Sequence, residues 1–252
     1  MELNRTYNED CLEGMKRISD CSVDMILTDL PYGRTNNKWD VKVDLHALFE
    51  QYRRIIKENG CIALFADGML IKELMTEGAD IWRYNLVWDK GLVSNFLNAN
   101  RQPLRQHEEI IIFYKRQPTY NPQFTEGKPL HGMGNSFKRK RNRNNNYREY
   151  ASERNPTAER KGDTRKYPTS IIRISRKASC KMIHPTEKPV EIMENLILTY
   201  TNEGETVLDS CSGSGTTQEA CIRTRRNYIA FEKETERFKQ SIARLEGVRK
   251  NG

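Results

Sequence analysis

Residues 23–33 read VDMILTDLPYG, in which a short apolar, β-prone run leads into a carboxylate, a proline, a tyrosine and a glycine. The run predicts a buried strand, and in open α/β sheets ligands bind just beyond the carboxyl ends of strands. At that end the Asp29 carboxylate can accept hydrogen bonds from an amine, and so can the Leu30 carbonyl, whose extended backbone is fixed by Pro31. The ring of Tyr32 can stack on a flat heterocycle. The stretch therefore predicts a site for a planar molecule that carries an amine.

The alternative interpretation is a strand that runs into an ordinary Pro-Gly turn, with Asp29 as a local cap. A second stretch favours the ligand site. Residues 206–217 read TVLDSCSGSGTT, which predicts a strand and a glycine-rich turn ahead of a helix, and glycines let the backbone approach a ligand closely. The next predicted strand, residues 228–231, ends at Glu232, where an acidic group can bind ribose hydroxyls. The whole series is a far more specific signal than the glycines alone.

With these residues the chain resembles the amino-methyltransferases of DNA, which act on adenine N6 or cytosine N4 with S-adenosylmethionine. Residues 29–32 resemble the catalytic signature Asp-Pro-Pro-Tyr of that family, and residues 209–217 resemble its cofactor signature Asp-x-Phe-x-Gly-Ser-Gly-Thr-Thr. The order, catalytic part first, is that of the β-type arrangement. Further matches to the family are Asp10-Cys11-Leu12, Val87-Trp88-Asp89-Lys90, His107-Glu108-Glu109-Ile110 and His184-Pro185-Thr186-Glu187-Lys188-Pro189.

The resemblance implies a role for each matching position. The catalytic loop would be Asp29, Leu30, Pro31 and Tyr32. Two positions depart from the family pattern: Leu30 replaces a proline, which loosens the loop, and Cys211 replaces a phenylalanine that packs beside the cofactor. The implied cofactor-binding residues are Asp10 and Cys11 near the adenine, Thr186 and Lys188 near the carboxylate, Gly213 and Gly215 beside the methionine portion, Glu232 on the ribose, and Asp209, Ser212, Thr216 and Thr217.

Charge is unevenly distributed along the chain, which has 252 residues and a formal net charge of +8. Residues 115–181 contain 18 Lys or Arg and 5 Asp or Glu, and the remaining residues contain 24 and 29, out of chain totals of 42 and 34. A basic segment on a neutral-to-acidic body is typical of contacts with a polyanion. The alternative is a disordered, solvated insertion. We expect double-stranded DNA as the partner, contacted by Lys138, Arg139, Lys140, Arg141 and Arg143.

Strands alternating with helices predict an α/β fold with a doubly wound, mostly parallel, Rossmann-like sheet and an inserted basic recognition region. The predicted organisation is a catalytic half at residues 1–114, a target-recognition region at 115–183 and a cofactor-binding half at 184–252. We expect Gly60 to end a helix, residues 34–40 to form a lid, and Trp88 to lie in the core. Residues 91–105 are expected to be a loop near DNA, and the tail after Gly247 is expected to fray.

The six cysteines, at positions 11, 21, 61, 180, 211 and 221, have no Cys-x-x-Cys spacing, so no metal site is expected. No signal peptide begins the sequence and no apolar run is long enough to span a bilayer. These features predict a cytoplasmic protein with reduced thiols and no membrane contact. Family analogy adds a possible homodimer.

The resemblance therefore implies a site-specific DNA methyltransferase of the restriction-modification type that methylates adenine N6. Cytosine N4 stays open as the alternative, although cytosine enzymes of the family often carry serine at the position of Asp29. Two further alternatives are methylation of an amine in RNA or in a glutamine side chain, and an inactive DNA-binding regulator. Asp29 itself argues against the glutamine enzymes, which usually carry asparagine there, and the intact Asp29, Pro31 and Tyr32 argue against the inactive regulator.

Overall fold

The structure, a computed structural model, describes residues 1–33, 42–129, 162–175 and 187–251. The predicted lid at residues 34–40 lies outside the described residues, as does Thr186. The five predicted DNA-binding residues also lie outside them; these are Lys138, Arg139, Lys140, Arg141 and Arg143.

The described chain contains strands and helices in alternation. The strands are β1 (Arg5–Tyr7), β2 (Val23–Asp29), β3 (Ile56–Ala66), β4 (Trp82–Ser94), β5 (Arg105–Phe113), β6 (Thr125–Glu126), β7 (Arg165–Lys166), β8 (Ile171–Arg173), β9 (Thr206–Asp209) and β10 (Asn227–Phe231). The helices are α1 (Cys11–Met15), α2 (Leu45–Ile55), α3 (Met69–Glu77), α4 (Val190–Tyr200), α5 (Thr216–Arg223) and α6 (Thr235–Asn251).

Within the described residues, eight strands form one sheet in the order β1-β10-β9-β2-β3-β5-β4-β8. Neighbouring strands are parallel except where β5 pairs with β3 and with β4. Helices cover both faces: α1, α2 and α3 bury Met15, Phe49 and Leu74 on one face, and α4 and α5 bury Leu196 and Cys221 on the other. The predicted doubly wound, mostly parallel α/β fold is confirmed.

Strand β2 lies in the middle of this sheet because its side chains are apolar on both faces. Val23 and Ile26 belong to the hydrophobic cluster of one face, and Met25 and Leu27 belong to the cluster of the other. All four are fully buried. A strand covered by helices on both faces needs such a continuous apolar run rather than alternation. This burial fixes the position at which the strand ends, at Asp29.

The prediction that Gly60 ends a helix is wrong. Helix α2 ends at Ile55, the chain turns directly into β3, and Gly60 lies inside that strand. A Cβ atom at Gly60 would come within 2.7 Å of the Ile56 side chain and 2.9 Å of the Asp24 carbonyl oxygen. Glycine is therefore required here by close packing between β3 and β2, and not by a helix end.

Two further local predictions are corrected. Residues 91–105 are not simply a loop, because β4 continues to Ser94 and β5 begins at Arg105. Gly91, at φ +67°, lies where the register of the β4–β5 pair shifts, between Asp89 and Ser94. The tail after Gly247 is not frayed, since α6 continues to Asn251. Whether residues 91–105 lie near DNA stays a prediction.

The prediction that Trp88 belongs to the core is confirmed. Its side chain is fully buried on β4, packs edge-on against Phe65, and donates from Nε1 to the Ile174 carbonyl oxygen at 2.8 Å. Among the described residues no helix is long and apolar enough to cross a membrane.

The chain divides into two compact units, residues 1–121 with 169–252 and residues 122–168. The sheet belongs to the first unit. In the second, β6 pairs with β7, and the rings of Phe124 and Tyr167 lie 4.9 Å apart with the guanidinium of Arg165 over Phe124. Strand β8 lies within the predicted region 115–183 but pairs with β4 of the sheet. The predicted division at residues 114 and 183 stays a prediction.

Candidate active site

A cavity of about 570 Å³ lies at the carboxyl ends of β2, β9 and β10. It is where the two stretches singled out in the sequence come together, although they are about 180 residues apart in the chain. Gly215 is not among its lining residues, and Thr186 lies outside the described part of the chain. The other predicted catalytic and cofactor-binding residues line it: Asp10, Cys11, Asp29, Leu30, Pro31, Tyr32, Lys188, Asp209, Ser212, Gly213, Thr216, Thr217 and Glu232.

The Asp29 carboxylate is the last side chain of β2, and both of its oxygens have partners. Oδ1 accepts a hydrogen bond from the Tyr32 hydroxyl at 3.0 Å, and Oδ2 accepts one from Lys188 Nζ at 2.7 Å. Burial raises the pKa of Asp29, and the charge of Lys188 opposes that rise. The position after Asp29 is anchored differently from the family pattern, because the Leu30 side chain is 3% exposed and packs in the core.

Lys188 stands just before α4 and its side chain is buried against two carboxylates. Besides Asp29, its Nζ lies 3.1 Å from Glu108 Oε2, and Lys90 Nζ lies 3.0 Å from Glu108 Oε1. Burial opposes ionisation of Glu108. The charges of Lys188 and Lys90 outweigh that effect and lower the pKa of Glu108 to about 2. The sequence prediction placed Lys188 at the cofactor carboxylate and gave Glu108 and Lys90 no role. The signal for both was present, in the matches at residues 87–90 and 107–110.

Hydrogen bonds tie β2 to β9 just below the cavity. The Thr28 hydroxyl donates to Asp209 Oδ1 at 2.7 Å, and the Cys211 backbone N–H donates to the same carboxylate oxygen at 3.2 Å. The hydroxyls of Tyr52 and Ser210 lie 2.6 Å apart, which fixes α2 to the turn after β9. Burial raises the pKa of Asp209 to about 6. The carboxylate thus joins the ends of the two strands that carry the predicted site.

The glycine-rich turn after β9 is held through its backbone. Gly213 has φ +52° and Gly215 has φ +83°, and Gly215 precedes the first residue of α5. The Gly213 N–H donates to Glu232 Oε2 at 2.8 Å, and the Glu234 N–H donates to Glu232 Oε1 at 2.8 Å. Burial raises the pKa of Glu232. The turn and the end of β10 therefore present backbone groups and one carboxylate to the same side of the cavity.

The start of α1 borders the cavity as well. Asp10 caps the helix, since its Oδ1 accepts from the Leu12 N–H at 2.9 Å, and its Oδ2 lies 3.2 Å from Lys233 Nζ. Cys11 is 7% exposed. The sequence predicts both a helix cap and a cofactor contact for Asp10, and the structure shows the cap. Among the described residues there is no group of His, Cys, Asp and Glu side chains that could hold a metal ion.

Comparison with known proteins gives relatives along nearly the whole chain. The Type II methyltransferase M.HpaI of Haemophilus parainfluenzae is 25% identical over 258 residues, covering 96% of this chain and 74% of that protein. The crystal structure of the M1.HpyAVI–SAM complex is similar with a TM-score of 0.65 at 24% identity, over 96% of this chain and 98% of that one. The cytosine-N4-specific PvuII DNA methyltransferase has a TM-score of 0.66 at 16% identity, over 94% and 84%. The two structures support the fold alone.

The family model described as DNA methylase, N6_N4_Mtase, matches residues 23–243, from the start of β2 into α6. This span includes the Asp29 loop, the glycine-rich turn and Glu232. The predicted family is confirmed, and with it the dependence on S-adenosylmethionine that characterises the family. The chain belongs to the N6/N4 DNA methylase family.

Proposed function

We propose that this chain is a site-specific DNA methyltransferase that methylates the exocyclic N6 amine of a flipped adenine. The observation that carries the proposal is the Asp29 carboxylate, which borders the same cavity as Tyr32, the glycine-rich turn and Glu232. An ionised carboxylate only accepts hydrogen bonds, so it suits the N–H groups of an amine. Aspartate at this position, rather than serine, supports adenine over cytosine.

The exocyclic amine of a base is a poor nucleophile because its lone pair is delocalised into the ring. Asp29 and the Leu30 carbonyl would each accept one of its N–H groups and draw the nitrogen toward tetrahedral geometry. That localises the lone pair on the nitrogen, and holding the amine in this orientation supplies much of the acceleration. Burial of Leu30 in the core supports this role, because it fixes the backbone that carries the carbonyl.

S-adenosylmethionine, when bound, supplies a methyl group activated by a sulfonium. The residues present fit such a cofactor. Gly213 lines the cavity with open space where a side chain would stand, and within the described part of the chain the buried Ser212 hydroxyl has no hydrogen-bond partner. We infer that Gly213 and Ser212 hold the methionine portion, that Glu232 holds the ribose, and that Asp10 and Cys11 lie at the adenine.

The position of Asp29 in the wall of the cavity supports base flipping. A base stacked in a duplex cannot reach a carboxylate inside a cavity, so the target base must leave the stack. Tyr32, at the same edge, would then stack on the extruded base. Contacts with the flanking DNA are assigned to Lys138, Arg139, Lys140, Arg141 and Arg143, on their charge alone. A homodimer, a cytoplasmic location and the absence of a metal stay predictions.

The test is to incubate the purified chain with labelled S-adenosylmethionine and DNA of mixed sequence, digest the DNA and identify the labelled nucleoside. We expect N6-methyl-2′-deoxyadenosine, with the label lost in Asp29→Ala. N4-methyl-2′-deoxycytidine would replace the adenine proposal by the cytosine alternative. Label in neither nucleoside, from a folded chain that binds S-adenosylhomocysteine, would contradict the proposed activity. Mapping the modified positions then gives the recognition sequence.

A further inference from the structure

Four charged side chains form a continuous chain that ends at the predicted catalytic loop; three of them are largely buried, and the last, Asp29, is 29% exposed at the cavity wall. In order they are Lys90, Glu108, Lys188 and Asp29, with successive separations of 3.0, 3.1 and 2.7 Å. Lys90 and Lys188 are 5% and 7% exposed, and Glu108 is 13% exposed. Burying ions costs several kcal/mol each unless they are paired, so an alternating series of this kind holds together only as a unit.

Strand β2 supplies Asp29, and three other elements supply the rest of the series. Lys90 comes from β4, Glu108 from β5 and Lys188 from the segment before α4. The Lys188 ammonium also lies 5.3 Å from the Phe65 ring and 5.7 Å from the Tyr32 ring, which leaves it little freedom. Despite burial, which opposes its charge, Asp29 and Glu108 raise the pKa of Lys188, so it stays protonated.

We propose that Lys188, anchored by Glu108 and Lys90, is a positioning residue for the Asp29 carboxylate. By occupying Oδ2 it keeps the partly buried carboxylate ionised and leaves Oδ1, which also accepts from the Tyr32 hydroxyl, to accept from the target amine. The inference rests on the proposed function of Asp29. It replaces the sequence expectation for Lys188, which was contact with the carboxylate of the cofactor.

The assignment predicts the pH dependence of the reaction. Protonation puts a donor on the Asp29 carboxyl and weakens it as an acceptor for the amine, so the rate falls as pH drops through the pKa of Asp29. Burial raises that pKa, Lys188 lowers it and Glu108 raises it. Removing the lysine charge must therefore move the acid limb of the rate profile to higher pH, and removing the glutamate charge must move it to lower pH. The charged and titratable groups that face Asp29 are Tyr32, Lys188 and Glu108, with Lys90 behind Glu108, Asp209 bonded to the adjacent Thr28, and Asp67 acting on Tyr32.

The experiment compares single-turnover rates against pH, at saturating cofactor and DNA, for wild type, Lys188→Met, Lys188→Arg and Glu108→Gln. We expect the apparent pKa of the acid limb in Lys188→Met to shift upward by about 1 pH unit or more, the usual size for loss of an adjacent opposite charge. Lys188→Arg keeps the charge and should keep the limb near that of wild type. Glu108→Gln should move the limb in the opposite direction.

Lys57→Met is the matched control, because Lys57 pairs at 2.6 Å with Asp24 on the same strand β2, at its other end. It removes an ion pair on the same strand, in which the lysine is 39% exposed against 7% for Lys188, and should leave the pH profile in place. Thermal melting identifies any variant that does not fold, and should Lys188→Met be one, the opposite shift of Glu108→Gln carries the test. A limb unmoved in every folded variant of Lys188 and Glu108 overturns the proposal.

Calorimetric titration with S-adenosylhomocysteine separates the two roles of Lys188 without using activity. A positioning residue for Asp29 leaves the affinity of Lys188→Met near that of wild type. A loss of more than about tenfold, with the pH profile unchanged, would return Lys188 to the cofactor carboxylate and overturn the inference. Failure of the adenine proposal is distinct, because it appears in wild type as the identity of the methylated nucleoside. The pH comparison holds for whichever amine is methylated.

Discussion

The carboxyl ends of β2 and β9 lie side by side in the sheet, but different kinds of residue form them. The β2 end carries Asp29 at the end of a largely buried network of charges, whereas the β9 end presents a glycine-rich turn whose Gly213 N–H donates to Glu232. A buried charge responds strongly to every neighbouring charge, whereas an open glycine turn mainly offers shape and backbone donors. We infer that changes at the β2 end act on the rate of methyl transfer, and that changes at the β9 end act on cofactor affinity.

The two ends are also joined. The Asp209 carboxylate, at the end of β9, accepts from Thr28 of β2, one residue before Asp29. A large distortion of either strand would therefore reach the other. For this reason the comparison is tested with small side-chain changes, and each one has a control variant that makes the same chemical change elsewhere.

The largest expected effect is at Asp29. Asp29→Ala should lower the single-turnover rate by at least about 10² to 10³-fold, the loss found when one preorganised hydrogen-bonding partner of a reacting group is removed. Asp29→Asn should be nearly as slow, because its NH₂ group presents donors to the amine. Rates are measured at saturating labelled cofactor.

DNA affinity and S-adenosylhomocysteine affinity should stay near wild type in both variants of Asp29. Asp24→Asn, on the same strand and outside the cavity, is the control and should keep most of the rate. A rate within about tenfold of wild type in folded Asp29→Ala contradicts the assigned role and removes the difference between the two strand ends.

The second-largest effect is expected in the basic segment, outside both strand ends. It is measured as DNA binding rather than as rate or cofactor affinity. Replacing Lys138, Arg139, Lys140, Arg141 and Arg143 together by alanine should weaken DNA binding and flatten its salt dependence. Each lost phosphate contact lowers the log–log slope by roughly 0.9, so a change of about two to four units is expected. Cofactor affinity should survive. Fluorescence anisotropy over a salt series, on target and scrambled duplexes, measures both the slope and the selectivity.

Five exposed basic residues of the enzyme body form the matched control: Lys16, Lys72, Arg223, Lys239 and Lys250. Their replacement removes the same charge, so a general effect of net charge would lower the slope equally in both variants. If the salt slope does not change when the five basic residues at 138–143 are replaced, the DNA contact lies elsewhere, and residues 91–105 are the next candidate. Within that stretch the side chains of Phe96 and Leu97 are exposed.

The sequence predicted the sheet and both strand ends because each depends on local patterns. Buried apolar runs ended at Asp29 and Asp209, and the following turn and proline residues marked where each strand stops. The contacts of Lys188 could not be read in this way, since they require β4, β5 and the segment before α4 to meet. The prediction that Gly60 ends a helix failed for a physical reason. In sequence, a glycine required by close strand packing cannot be told from one that ends a helix.

The third effect, at Glu232, should appear in binding. Glu232→Ala should lower the affinity for S-adenosylhomocysteine by about tenfold, consistent with the loss of a charge-assisted hydrogen bond. The rate at saturating S-adenosylmethionine should change little, because a ribose contact is equal in ground and transition states. Glu236→Ala, an exposed change on the first turn of α6, is the control. Unchanged affinity on calorimetric titration would remove Glu232 from the cofactor site.

The smallest effect is expected at Gly213, and Gly204 gives an unusually close control. Both residues have positive φ, +52° and +80°, and a Cβ atom on either would have no neighbour within 4 Å. Alanine at either position should therefore cost a similar backbone strain of about 1 to 2 kcal/mol in unfolding free energy. Only Gly213 borders the cavity and donates its N–H to Glu232.

Gly213→Ala should accordingly lower the affinity for S-adenosylhomocysteine by about fivefold, equivalent to roughly 1 kcal/mol, whereas Gly204→Ala should leave it unchanged. Chemical denaturation measures the shared loss of stability, and calorimetry measures the difference in affinity. Equal affinity losses in the two variants would mean that destabilisation alone weakens binding. No loss in either would mean that the turn after β9 does not approach the cofactor, and cofactor affinity would then depend on Glu232 at the end of β10 rather than on these glycines.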